Sequence, residues 1–463
     1  MSLPPQNNAR RIDARFVTGS TMRHVVVMTM SGSVGLSFLF LVDVMALFWV
    51  SRLDDVVLVA AMGFAATIQF LVVSVALGMM IAGVALVARN IGAGRADDAR
   101  AFATTTILVS TTIQAILAVL TFIFRRELLA LTGAEGQTLE VAAHIVSITV
   151  LSLPLIAIGV ASAGILRAAG DPWRSMLVTL IPGMLIGVLD PILIVWSGLG
   201  VTGAAISLVI SRLFMIVIGL TWMIRRHDLM ARPSVPDLRR TIRPLMQIAG
   251  PSMATQSSTP IGNWLLTLAM APFGPEAVAG LAVSLRLIML VFGGIYGLSG
   301  AIGGIIGQNF GARRMDRVRR AYLDALIFCA GYTAVAWALM SLLAPHIIAG
   351  FGITGAGQGV VLAFCYIFTA SFLFNGTLFV AASCFNNLGK PMWATFANWA
   401  RDLVLIYPLA VLIGAYFGAT GVMVAPALAN VIAGTSAGLL GLLLINRLLA
   451  SNPPALDAER PAD

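Results

Sequence analysis

Apolar residues run in long unbroken blocks along this chain, and polar residues collect in short stretches between them. Such blocks, continuous and without period-two alternation, predict membrane-spanning α-helices, each needing roughly 20 residues. Transmembrane β-strands would instead alternate over segments of about ten residues. Reading the blocks against turn residues gives twelve spans, near 24–50, 57–88, 101–124, 141–166, 176–197, 203–224, 245–272, 278–306, 321–345, 357–385, 393–416 and 420–446. The second, eighth and tenth exceed a straight crossing, so they are expected to tilt or to project beyond the bilayer. The polar start, to about Met22, leads directly into a full-length span, so no cleavable signal peptide is expected.

Composition narrows the class. Of 463 residues, 59% are hydrophobic and 11% charged, whereas a soluble domain carries about 25% charged residues. A soluble fold is excluded. The net charge of +9 would suit a nucleic-acid partner, but its placement argues against one. The 28 Arg and the single Lys390 lie mostly in short loops, where they set topology. Twenty-three belong to the termini and the loops on their side, against Arg52, Arg125 and Arg126 on the other. That asymmetry predicts both termini in the cytoplasm, and the expected location is the plasma (bacterial inner) membrane.

The chain repeats itself at an offset of 219. Asn90-Ile-Gly-Ala-Gly-Arg-Ala-Asp-Asp-Ala-Arg100 aligns with Asn309-Phe-Gly-Ala-Arg-Arg-Met-Asp-Arg-Val-Arg319, identical at six of eleven positions. Gly170-Asp-Pro172 meets Gly389-Lys-Pro391 at the same offset, and Gly200-Val-Thr-Gly203 meets Gly418-Ala-Thr-Gly421 one residue out of register. The expected plan is an all-α membrane protein of twelve transmembrane helices in two pseudo-symmetric six-helix bundles, the halves related by an axis along the membrane normal. Its parts are a cytoplasmic N-terminal segment (1–23), a first bundle (24–224), a linker (225–244), a second bundle (245–446) and a C-terminal tail (447–463). Two equivalent bundles about a shared cavity is a transporter architecture.

No catalytic constellation is present, so an enzyme is not expected. Cys329, Cys365 and Cys384 lie within apolar runs without metal-binding spacing and read as small buried side chains. His24, His144, His227 and His346 are each alone at span ends or in a loop. Neither a metal nor another cofactor is expected. Gly198-Leu-Gly-Val-Thr-Gly203 matches a dinucleotide fingerprint by letter, yet it joins two membrane helices with no βαβ unit around it. Without a credible nucleotide motif, the energy source is expected to be an ion or substrate gradient.

Charged residues inside spans are costly and usually face a cavity or a partner. Asp43 and Asp190 both fall in the outer half of the first bundle, and desolvation would let such carboxylates exchange protons near neutral pH. Asp402 follows Arg401; adjacent helical residues point about 100° apart, so the two are not expected to neutralise each other on one face. One would face the cavity while the other pairs across helices, with Arg286 a candidate partner. Gln69, Asn263, Asn375, Arg401 and Asp402 are the further candidate cavity residues. Plentiful Met (21) and Phe (23) are compatible with a permissive cavity but equally with lipid contact.

Local motifs resemble those of the multidrug and toxic compound extrusion (MATE) transporters over roughly 24–446. They are Val42-Asp43 with Val50-Ser-Arg-Leu53, Gly78-Met-Met-Ile81 through Ala85-Leu-Val-Ala-Arg-Asn-Ile-Gly-Ala-Gly94, Leu166-Arg-Ala-Ala-Gly-Asp-Pro172, Leu189-Asp-Pro-Ile-Leu-Ile194, Gly307-Gln-Asn-Phe-Gly-Ala312 and Asn387-Leu-Gly-Lys-Pro391. Thr259 and Asn375 stand where the NorM branch is typically acidic, so the resemblance is closer to the DinF branch, which keeps the acidic positions of helices 1 and 5. It implies proton-coupled export of cationic lipophilic compounds, with Asp43 and Asp190 as coupling residues; the chain is expected to work as a monomer in the lipid bilayer.

Departures from the pattern weaken a Na⁺ site: Ile186 replaces an Asn, Leu208 replaces a Thr with Ser207 beside it, and the helix 1 proline is absent near Met28, though Gly32 and Gly35 would permit bending. The alternative is a flippase of lipid-linked saccharides in the same superfamily, for which Arg212, Arg286 and Arg401 are the candidate cations. A major-facilitator transporter is disfavoured because Asn90–Arg100 lacks the Gly-x-x-x-Asp-Arg-x-Gly-Arg loop.

Overall fold

The structure, a computed structural model, describes residues 12–51 and 55–451, with the side chains at 36, 37, 39–44, 47, 51 and 56 excepted. The helices follow the apolar blocks. The first half comprises α1 (Thr21–Ser51), α2 (Val56–Gly92), α3 (Ala96–Ile123), α4 (Gly136–Ala168), α5 (Pro172–Trp196) and α6 (Gly200–Arg226). The second half comprises α7 (Val235–Met270), α8 (Pro275–Val291 and Gly293–Gly311, bent by 48°), α9 (Met315–Gly350) and α10 (Ala356–Asn387). It closes with one helical run, Pro391–Ser451. Gly418 interrupts that run at φ 65°, ψ −153°, dividing it into α11 (391–417) and α12 (419–451). A short helix, Arg125–Leu131, links α3 to α4. Among the described residues there is no strand.

One boundary departs from the hydrophobic pattern. α7 begins at Val235, ten residues ahead of its apolar block, so much of the stretch expected as linker is helical. Ser234 caps the helix by accepting from the Asp237 N–H at 3.2 Å. Pro236 in the first turn needs no amide partner, and Asp237 complements the helix dipole. These end signals build a polar first three turns that hydropathy alone misses.

The sequence repeat is also a repeat of backbone geometry. In the loop after α2, the Arg95 N–H donates to Asn90 O at 2.9 Å; in the loop after α8, Arg314 N–H donates to Asn309 O at 2.9 Å. Each Asn side chain also donates to the carbonyl four residues earlier, at 2.8 and 2.9 Å. The left-handed position is Gly94 (φ 72°) in one loop and Arg313 (φ 57°) in the other. Gly198, Gly200 and Gly203 serve the α5–α6 turn, where a Cβ on Gly203 would strike the Leu193 carbonyl. In the matching turn a Cβ on Gly421 would stand 2.5 Å from Ile413 O. Left-handed turn geometry at Gly198 and Gly200 and close packing at Gly203 account for the letters that resemble a dinucleotide fingerprint.

The halves meet through α1 against α8 and α2 against α7, two pairings exchanged by the internal symmetry, and through α2 against α8. Large apolar side chains such as Val119 and Leu342 stay exposed, at 59% and 75%, as lipid-facing helices require. Cys329, Cys365 and Cys384 are buried, unbridged thiols within the second half.

Candidate functional site

Asp190 is fully buried near the far end of α5. Pro191 follows it and opens a π-helical turn, Pro191–Trp196; a proline without an N–H loosens the ladder there. Ser207 on α6 donates a hydrogen bond to Asp190 Oδ1. The hydroxyl expected on this helix is therefore supplied by Ser207, while Leu208 is only partly buried and Ile186 packs inside as an apolar residue. α1 packs on α5 at this level: a Cβ on Gly187 would lie 3.8 Å from the Met45 methyl. Asp43 has its backbone in α1, two residues before Met45, and its side chain lies outside the described residues.

A second polar group of the first half is centred on Arg212 of α6. Its guanidinium donates to Ser152 Oγ at 2.6 Å, Gln69 Oε1 at 3.0 Å and Thr149 O at 3.3 Å, tying α6 to α4 and α2. Gln69 is thus a hydrogen-bond partner of this cation.

The second half holds the third group, and here the sequence expectation fails. Arg401 and Asp402 pair directly: Nε and Nη2 both donate to Oδ1 at 2.7 Å. Residues 400–405 form a π-helical turn, and the two consecutive side chains meet within it. Among the described residues, Arg286 pairs with neither. Asp402 Oδ2 accepts from Ser258 of α7 at 2.7 Å, and Arg401 Nη1 donates to Asn375 Oδ1 of α10. Asn375 is thereby a ligand of Arg401, and Asn263 lies partly exposed on α7. The site residues therefore form separate groups, Asp190 and Arg212 in one half and Arg401, Asp402 and Asn375 in the other. Among the described residues no cluster suits a metal ion.

A further arrangement, not anticipated from sequence, closes the end of the molecule that carries most of the arginines. There α2 and α8 cross on paired glycines. A Cβ on Gly92 would strike Gln308 O, and one on Gly311 would strike Arg89 O. Deeper in, a Cβ on Gly78 would lie 2.6 Å from the Met253 backbone of α7, and one on Gly297 would lie 2.9 Å from Ser33 N of α1. Both glycine pairs stand at the repeat offset, the signal that could have revealed them. Arg89 Nη2 donates to Asn386 O in the opposite half, and Gln308 Nε2 donates back to Ala168 O, both at 2.7 Å.

The segment ahead of α1 reinforces this closure. Phe16 is 2% exposed and packs with the core of the second half. Its N–H donates to Gln308 Oε1 at 3.0 Å, and its carbonyl accepts from Asn309 Nδ2 at 3.1 Å and Arg317 Nη2 at 3.0 Å. Arg15 reaches Gly170 O of the first half at 3.3 Å. At the same end His227, expected to stand alone, pairs with Asp171 Oδ2 at 2.8 Å. Burial raises the Asp171 pKa, but hydrogen bonds from His227 and from the Arg174 amide and guanidinium, with the Arg174 charge, outweigh it and hold the carboxyl well below its ordinary range.

Similarity to known proteins agrees with this geometry. The MatE family model matches residues 31–191 and 251–412, one stretch in each half. The FAD transporter of Shewanella oneidensis is 24% identical over 394 residues, covering 84% of this chain and 87% of that one. The multidrug export protein MepA of Staphylococcus saprophyticus is 24% identical over 443 residues, covering 94% and 96%. The fold is shared with an outward-facing multidrug resistance MATE family transporter of the MOP superfamily, at TM-score 0.87 and 23% identity, over 94% of this chain and 98% of that one. Twelve membrane helices in two related bundles, buried charge within each half and a family match spanning both halves lead to one assignment: this chain is a membrane transporter, not an enzyme, and belongs to the MatE family.

Proposed function

We propose that this transporter exports cationic lipophilic compounds in exchange for protons, with Asp43 and Asp190 as the coupling carboxylates. The observation that carries the reading is Asp190, buried beside a π-turn, held by Ser207 of α6, and borne on α5, which packs against the α1 segment containing Asp43. A carboxylate in this setting can exchange an organic cation for a proton, and antiport needs only that the two compete. The basic end faces the cytoplasm under the arginine asymmetry. Its closure by the α2–α8 crossing then corresponds to an outward-facing state, in which an external proton displaces the cargo.

The test is transport in proteoliposomes under separately imposed proton and sodium gradients. A proton gradient alone should drive uptake of a cationic dye into inside-out vesicles, and Asp43→Asn and Asp190→Asn should each abolish it while leaving the protein folded. Sodium-driven transport, or unimpaired variants, would overturn the reading.

The Shewanella relative supports a second reading, transport of an anionic dinucleotide such as FAD. The buried Arg212 and Arg401 are its candidate contacts, although Arg401 is already neutralised by Asp402. Counterflow of FAD against the dye in the same vesicles separates the two.

A further inference from the structure

At the basic end, α2, α8 and α12 terminate together around a cavity of about 350 Å³. Its wall is basic at Arg89, Arg95 and Arg313 and apolar at Phe310, Met315 and Leu448. Among the described residues, the lining contains no acidic side chain. Elsewhere on the basic surface Arg100 is paired with Asp97 and Asp228, Arg174 with Asp171, and Arg240 with Asp98 and Asp237. Arg89 stacks over Phe310 at 5.5 Å and gives one hydrogen bond to a backbone carbonyl, which leaves its charge uncompensated. Arg95 has only a 3.8 Å approach to Asp98, and the left-handed backbone at Arg313 leaves that side chain exposed.

We propose that this cleft binds the phosphate of an anionic phospholipid. Three guanidinium groups suit a phosphodiester, and the apolar wall suits the glycerol and first acyl carbons. The cleft lies where α2 and α8, both apolar enough to cross a membrane, come to an end, which is the level at which a lipid headgroup would stand. Arg89 and Arg95 come from the first half, Arg313 and Leu448 from the second. The complete site exists only while the α2–α8 crossing is closed, so a bound lipid favours that state over its opposite.

The test uses the full-length protein in nanodiscs of phosphatidylcholine containing graded phosphatidylglycerol. Retained phosphatidylglycerol is counted by native mass spectrometry after mild delipidation. Arg95→Gln and Arg313→Gln should each weaken retention about fivefold. Arg319→Gln and Arg320→Gln, on the same surface but outside the cleft, serve as controls and should leave it unchanged. Equal losses in cleft and control variants would overturn the proposal in favour of diffuse attraction. Displacement by soluble glycerol phosphate as effective as by lipid would overturn it in favour of a free phosphate ligand. Thermal unfolding of each variant shows whether it is folded, and the double variant Arg95→Lys/Arg313→Lys, which keeps the charges, should retain at least half the lipid. Transport is not the readout, so the result is independent of the coupling ion.

Discussion

The side-chain amide of Gln308 holds Phe16 and the opposite bundle at once: its oxygen accepts from the Phe16 N–H at 3.0 Å and its nitrogen donates to Ala168 O at 2.7 Å. The terminal segment and the inter-bundle contact are thereby a single unit. Gln308→Ala should loosen both, increasing reagent access to a cysteine placed at Ala88 on the buried face of α2. Unchanged access would separate the segment from the closure.

Phe16→Ala removes a buried ring from the second-half core. Such truncations cost about 3–5 kcal/mol in well-packed sites. The expected result is a lower unfolding temperature in detergent and a larger open fraction at the basic end, measured by spin-label distances between the halves.

Gly92→Ala and Gly311→Ala each force a methyl group onto a carbonyl oxygen of the facing helix. Both should shift the protein away from the closed arrangement, while Gly331→Ala, which meets open space, should not. Limited proteolysis of the loops at the basic end would register the difference.

Ser207→Ala deletes the donor to Asp190. A hydrogen bond to a charged group contributes roughly 1.5–3 kcal/mol, so transport efficiency should fall about tenfold or more. Ser207→Thr should restore most of it, and initial rates of dye efflux make the comparison.

Breaking the Arg401–Asp402 pair by Asp402→Asn leaves a buried cation and should destabilise the second half by about 3–5 kcal/mol. Arg401→Met with Asp402→Leu should recover much of that stability, as read from thermal unfolding. If the double variant also transports normally, the pair is architectural.

The Asp171 carboxyl titrates below its ordinary value in the folded protein. Its contribution to stability is therefore full above the unfolded-state pKa of about 3.9 and is lost as pH falls through the lower folded value. The unfolding temperature should drop on the acid side of pH 4 in the wild type, and less so in Asp171→Asn.

The membrane class, the helices and the repeat were legible because burial in lipid imposes continuous apolar blocks and duplicated loops preserve their turn residues. Asn90 and Asn309 could be matched by letter, and the loops they anchor are the same structure. Local winding was not legible: the π-turn that contains Arg401 and Asp402 has no hydrophobic signature, and the long Arg401 side chain reaches back to its neighbour in a way that face-counting does not anticipate. Phe16 sits in a polar terminal stretch with no periodicity, so only the three-dimensional structure reveals where its ring goes. The start of α7 was hidden because Ser234, Pro236 and Asp237 announce a helix whose first turns are polar.

The crossing of α2 and α8 preserves its backbone contacts on both sides of the internal axis, yet Arg89 and Gln308 occupy equivalent places with different charge. Duplication kept the crossing symmetric and let its chemistry diverge. A lesion in one gene half is consequently felt by both, but not equally: losing Arg89 removes an electrostatic hold, whereas losing Gln308 also unseats the beginning of the chain.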